Sequence, residues 1–111
     1  MAPALTGKQK RFLRALAHDK KPVVQLGKEG LTEAVTKAVD DSLETHELIK
    51  VKVATSGDES LDDLGERLAK ETRSSLCDVI GRTLLLYRRR TEKPTIHLPK
   101  ASSKADPEGT P

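Results

Sequence analysis

A short strand that ends in Gly27-Lys28-Glu29-Gly30 and turns at once into a helix opening with Leu31-Thr32-Glu33 constrains this chain more than any other stretch. Pro22 blocks continuation of any preceding helix, so Val23-Val24-Gln25-Leu26 reads as a strand. Beyond the loop, Leu31, Ala34, Val35, Ala38, Val39 and Leu43 recur at the spacing of one apolar helical face. Two glycines let backbone approach a bulky anion with no Cβ in the way. The helix start adds unpaired N–H groups and the positive end of the macrodipole, and Lys28 adds a full charge. Together these are the parts of a phosphate clamp. A plain β-to-α connection, with the glycines serving turn geometry alone, would use the same residues.

The remaining elements follow from periodicity and punctuation. Thr6 is a suitable N-cap for a first helix over about 6–19, with Leu5, Gln9, Phe12, Leu13, Leu16 and Ala17 on one face and Lys8, Lys10, Arg11 and Arg14 mostly outside it. The second helix has an acidic outer face of Asp40, Asp41 and Glu44, with His46 and Glu47 near its end. Leu48 to Val53 is a strand that places Lys50 and Lys52 on one face. Thr55 to Ser60 reads as a loop, and Ser60 with Asp62 and Asp63 opens a third helix carrying Leu61, Leu64, Gly65, Leu68, Ala69 and Thr72. Leu76–Ile80 and Thr83–Tyr87 flank Gly81-Arg82 as a hairpin, followed by Arg88-Arg89-Arg90. The order α-β-α-β-α-β-β predicts an α/β fold, a compact two-layer sandwich with helices against a mixed sheet of about four strands. Residues 1–99 form the domain, and 100–111 form a disordered polar tail.

Charge is distributed unevenly. Residues 1–30 hold seven Lys/Arg against two Asp/Glu, residues 31–75 six against eleven, and residues 76–111 seven against four. A basic–acidic–basic order points to a polarised surface with one face that attracts polyanions. No apolar run approaches the length of a membrane span, and no signal-peptide block is visible. Lys8, Lys10, Arg11 and Arg14 fit either a folded helix or a transit segment. One cysteine, Cys77, cannot form an intramolecular disulfide or a cysteine-based zinc site, and reads as buried filler. His18, His46 and His97 are widely spaced, and Asp40-Asp41 and Asp62-Asp63 read as solvated helix acids. Walker loop, dinucleotide fingerprint and nucleophile elbow are all missing, so neither enzyme activity, cofactor nor small-molecule substrate is expected. With Phe12 and Tyr87 the only aromatics, a platform stacking several bases is not expected either.

Three blocks then carry a resemblance: Leu26-Gly27-Lys28-Glu29-Gly30-Leu31-Thr32, His46-Glu47-Leu48-Ile49-Lys50-Val51-Lys52, and Val79-Ile80-Gly81-Arg82-Thr83-Leu84-Leu85-Leu86-Tyr87-Arg88. In this order they resemble the signature of the YhbY/CRM-domain family over roughly residues 4–99. The resemblance implies an RNA-binding domain similar to the C-terminal domain of translation initiation factor three, with a KH-like Gly-x-x-Gly loop. Stand-alone bacterial members associate with precursors of the large (50S) ribosomal subunit, and plant relatives serve in organellar intron splicing. It places Gly27, Lys28, Glu29 and Gly30 at the RNA-contacting motif. Glu29 departs from the small or polar residue common there, and its carboxylate would repel a phosphate unless it turns away or pairs with a lysine. Lys8, Lys10, Arg11, Arg14, Lys50, Lys52, Arg82 and Arg88 are expected to widen the footprint. The expectation is a monomeric cytoplasmic protein that binds ribosomal RNA on pre-50S particles and assists assembly. The alternatives are a structured-RNA or intron-binding factor, or a protein adaptor using the acidic helices.

Overall fold

Three hydroxyl side chains open the three helices in the same way. Thr6 Oγ1 accepts from Gln9 N at 3.1 Å, Thr32 Oγ1 from Val35 N at 3.2 Å, and Ser60 Oγ from Asp63 N at 3.1 Å. Each such cap contributes about 1 kcal/mol. The helices are α1 (Gly7–Leu16), α2 (Glu33–His46) and α3 (Leu61–Thr72), and the strands are β1 (Val24–Leu26), β2 (Leu48–Val53), β3 (Ser75–Ile80) and β4 (Thr83–Tyr87). This computed structural model describes residues 5–27, 29–54 and 59–99. Lys28, residues 55–58 of the expected loop, and the expected tail at 100–111 lie outside the described residues. The first helix stops at Leu16, short of 19, because the chain tightens into turns: His18 N donates to Ala15 O at 3.2 Å and Lys20 N to Ala17 O at 2.9 Å.

The order of elements is the expected one, and the four strands form one mixed sheet in the order β1-β2-β4-β3. β1 and β2 are parallel, joined by the crossover through α2, with Leu26 opposite Val53. β4 is antiparallel to both β2 and β3. A bulge between Leu76 and Asp78 turns both Cys77 and Asp78 toward α1, where Cys77 joins the apolar cluster and Asp78 meets Arg14. No described helix is long and apolar enough to cross a membrane.

Side-chain alternation divides the core in two. Ile49, Val51, Val53, Leu84 and Leu86 pack under α2 and α3 with Val39, Leu43, Leu64 and Leu68. Gly65 lets α3 approach β3 closely, since a Cβ there would lie 2.9 Å from both Leu76 methyls. On the other face, Leu48, Leu85, Tyr87 and Cys77 pack against Leu13 of α1 and Ala17, the residue that caps its C-terminus. α1 therefore adds a cover on the second face that the two-layer reading did not place. This is why Leu84, Leu85 and Leu86 are all fully buried: a strand covered on both faces reads as a continuous apolar run.

The chain after β4 completes the second face. Ile96 and Leu98 pack on the α1-side cluster, and Gln9 Nε2 donates to Pro99 O at 2.9 Å. This strap is held by Glu47, the fully buried cap residue that ends α2. One of its carboxylate oxygens accepts from Thr95 N and Thr95 Oγ1 at 2.7 Å and from Ile96 N at 2.9 Å, and the other accepts from Arg90 N at 3.0 Å. Its backbone sits at φ 65, in the region that favours glycine. Burial alone would raise the Glu47 carboxyl, but the bonds from Thr95, Arg90 and Ile96 outweigh it and hold the group below its ordinary value.

Burial pushes the Cys77 thiol up to about 12. Maleimide labelling of the native chain at pH 8 should therefore run roughly a hundredfold or more slower than in urea, since the thiolate is the nucleophile. Equal rates in the two states would contradict the buried position of Cys77.

Candidate nucleic-acid interface

Strand direction assembles one end of the sheet. β1 and β2 both finish there at Leu26 and Val53, and the antiparallel β4 begins there at Thr83. The Gly27–Gly30 loop, the start of α2 and the Gly81-Arg82 turn consequently share that end. Ala54 N donates to Leu26 O at 2.8 Å and Gly30 N to Gly27 O at 3.0 Å, which fixes the loop's entry and closes its turn. Gly30 sits at φ +73, which explains the second glycine by backbone conformation. Among the described residues a Cβ at Gly27 or Gly30 would meet nothing within 4 Å, so there is open space beside both glycines. Glu29 is exposed and forms no ion pair among the described residues. Lys28, the expected charge of the clamp, lies outside the described residues. Arg82 anchors the hairpin tip: its Nε donates to Val53 O at 3.1 Å, while its carbonyl accepts from Val53 N at 2.8 Å.

Helix α1 and strand β2 bring the other cations to the second face of the sheet. Lys8, Lys10, Arg11 and Arg14 are all exposed, because the stripe Gln9, Leu13 and Ala17 turns inward. Arg14 meets Asp78 at 3.1 Å, but with 63% of its side chain exposed it is held weakly and stays on the surface. Lys50 is half-buried and Lys52 exposed, both on the α1 side of β2. Lys8, Lys10, Arg11, Lys50 and Lys52 make no ion pair among the described residues, and α1 contains no acid. The acids of α2 and α3 lie across the sheet, so the charge asymmetry read from the chain becomes two faces of opposite sign.

Arg88 belongs to neither part of this surface. Its guanidinium, 18% exposed, reaches over the α2/α3 side to the Asp40 carboxylate and to Glu44 at 3.3 Å. It also donates to Thr72 O at 2.8 Å and Asp40 O at 3.1 Å, tying the end of β4 to α2 and to the end of α3. The fold therefore draws Arg88 away from the cations it was grouped with, because the strand alternation that buries Leu84 and Leu86 carries position 88 to their side. The same bonds occupy Asp40 and Glu44, two of the three acids on the outer face of α2 that an adaptor reading would use together with those of α3. Glu47 was legible only as a helix end; nothing within four residues of it supplies the donors it accepts from. Among the described residues no three His, Cys, Asp or Glu side chains group as a metal site.

Comparison with known proteins bears on this geometry. The family described as CRS1 / YhbY (CRM) domain matches residues 5–88. The Bacillus subtilis protein named probable RNA-binding protein YqeI is 45% identical over 95 residues, 86% of this chain and 99% of the relative. A Haemophilus influenzae protein named RNA-binding protein is 44% identical over 96 residues, 86% of this chain and 96% of the relative. Among solved structures, the solution structure of SAV1595 from Staphylococcus aureus superposes with a TM-score of 0.76 at 47% identity, covering 86% of this chain and all of that one.

Proposed function

This chain belongs to the CRS1/YhbY (CRM) domain family, and on that premise we propose that it is a non-enzymatic protein that binds ribosomal RNA on large-subunit precursors in the cytoplasm and assists their assembly. The observation that carries the RNA reading is the grouping of unpaired cations from α1 and β2 on one face of the sheet. That face ends at an open Gly-x-x-Gly loop whose second glycine adopts φ +73. Backbone charge is what such a surface reads, so the loop holds sugar-phosphate and carries little sequence information. Binding is accordingly steep in salt.

The test pairs the wild type with Lys28→Ala/Gly30→Asp. Position 30 has room for a side chain, and aspartate tolerates the left-handed region, so the variant should fold. RNA affinity is expected to fall at least tenfold, and the slope of log affinity against log salt to shrink by roughly 1 for the lost lysine contact. In gradients of cell lysate the wild type should migrate with large-subunit precursors and the variant should not. Unchanged affinity in a folded variant would sink the loop mechanism. A wild type that stays at the top of the gradient even at low salt would sink the ribosomal assignment.

A further inference from the structure

Three large apolar side chains on α1 and just before β1 are exposed to solvent. Phe12 is 36% exposed, Leu16 44% and Val23 48%. Phe12 and Leu16 are one turn apart and share a flank of α1. Arg14, on the opposite flank, reaches Asp78 on β3, the edge strand of that side. The Phe12–Leu16 flank therefore looks the other way, toward β2 and β1. There β2 presents Lys50 and Lys52, and β1 presents the exposed Gln25, directly opposite Lys52 in the register. Val23 N donates to Lys50 O at 3.0 Å, which sets the exposed Val23 beside the first lysine. Gly27 follows Leu26 at the end of the same strand, so this surface is continuous with the loop.

We propose that this surface is a second nucleic-acid subsite that takes unpaired nucleotides, with bases against Phe12, Leu16 and Val23 and phosphates toward Lys50 and Lys52. The inference rests on the RNA-binding reading above and adds the class of RNA. A duplex offers the protein phosphates and hydroxyls but no base faces, so exposed aliphatic and aromatic groups gain nothing from it. A single strand splays its bases and can bury them on an aromatic face beside a basic track. Lys50 and Lys52 alternate to one face of β2, about 6.7 Å apart along the strand, and so follow a backbone in steps. One aromatic ring limits the stacking to a single base. The absence of any acid on α1 makes the surface complementary to a polyanion.

The test uses the full chain with two fluorescent RNAs of equal length, an unstructured oligonucleotide and a hairpin duplex, titrated at one salt concentration. Phe12→Ala/Leu16→Ala removes two exposed groups and should leave the fold intact; Phe12→Tyr keeps the ring as a control. Affinity for the single strand is expected to fall roughly tenfold in the double variant and to be kept by Phe12→Tyr, with the duplex changed less than twofold. Equal losses on both RNAs, or none on the single strand, would overturn the subsite and leave RNA binding standing. If the wild type binds neither RNA, the RNA reading fails and the subsite with it. Concentration-dependent self-association abolished by the double variant would assign the surface to a second copy of this chain, and would also overturn the inference.

Discussion

Replacing Glu47 by alanine is expected to destabilise the domain by about 2–3 kcal/mol, because it removes the buried charged acceptor of four hydrogen bonds from the partly buried strap. The donors are the backbone N–H groups of Arg90, Thr95 and Ile96 and the Thr95 hydroxyl, all of which converge on one fully buried carboxylate. Alanine relieves nothing in exchange, since it is no better suited than glutamate to φ 65. Loss of the clasp should free the strap that carries Ile96 and Leu98 over the α1-side cluster. Urea unfolding would read the stability, and amide exchange at Thr95 and Ile96 would read the strap, with protection falling to that of an open chain. An unchanged midpoint would refute the clasp. Glu47→Gln should fall between, because its amide keeps one acceptor but opposes the Arg90 N–H with a donor.

The pH dependence follows from the same group. The folded carboxyl titrates below its ordinary value of 4.5, so the unfolded chain takes up the proton first as pH falls. Its contribution to stability is complete above that ordinary value and is lost as pH drops through the lower, folded one. In Glu47→Gln this part of the acid dependence should vanish.

Arg88→Ala is the second substitution with a large expected effect, about 2 kcal/mol of stability. The carboxylates of Asp40 and Glu44 are more than half exposed, so the ion pairs themselves contribute little. Most of the loss comes from Thr72 O, the last carbonyl of α3, which a charged donor satisfies, and the rest from the tie to Asp40 O midway along α2. Arg88→Lys should recover less than half, since an ammonium cannot span acceptors set for a planar fork. RNA affinity, measured on the folded variants, is expected to change less than twofold. A tenfold loss of RNA affinity with stability intact would show that Arg88 serves the RNA surface after all.

Charge reversal of Asp40 and Glu44 would test an adaptor reading only ambiguously. It would break the Arg88 ties, so lost particle association in such a variant would reflect altered packing as well as altered charge. Asp41, paired with Lys37 at 3.3 Å on the exposed side of α2, is the cleaner position for testing an adaptor.

Element type and order were legible from the chain because their causes are local. Thr6, Thr32 and Ser60 cap within three residues, the apolar stripes repeat within four, and Gly81 turns a hairpin between strands that touch it. The Gly27–Gly30 loop was legible for the same reason: both its glycines and the helix that follows lie within a few bonds of each other. The tertiary structure alone decided which face α1 covers, that Arg88 turns inward while Lys50 and Lys52 stay outside, and that Glu47 is a buried clasp. Those outcomes depend on partners far along the chain, 43–49 residues away for Glu47 and up to 48 for Arg88. A charged side chain in a sequence carries no mark of burial. Its role is set only when folding removes water and brings the donors or acceptors that replace it.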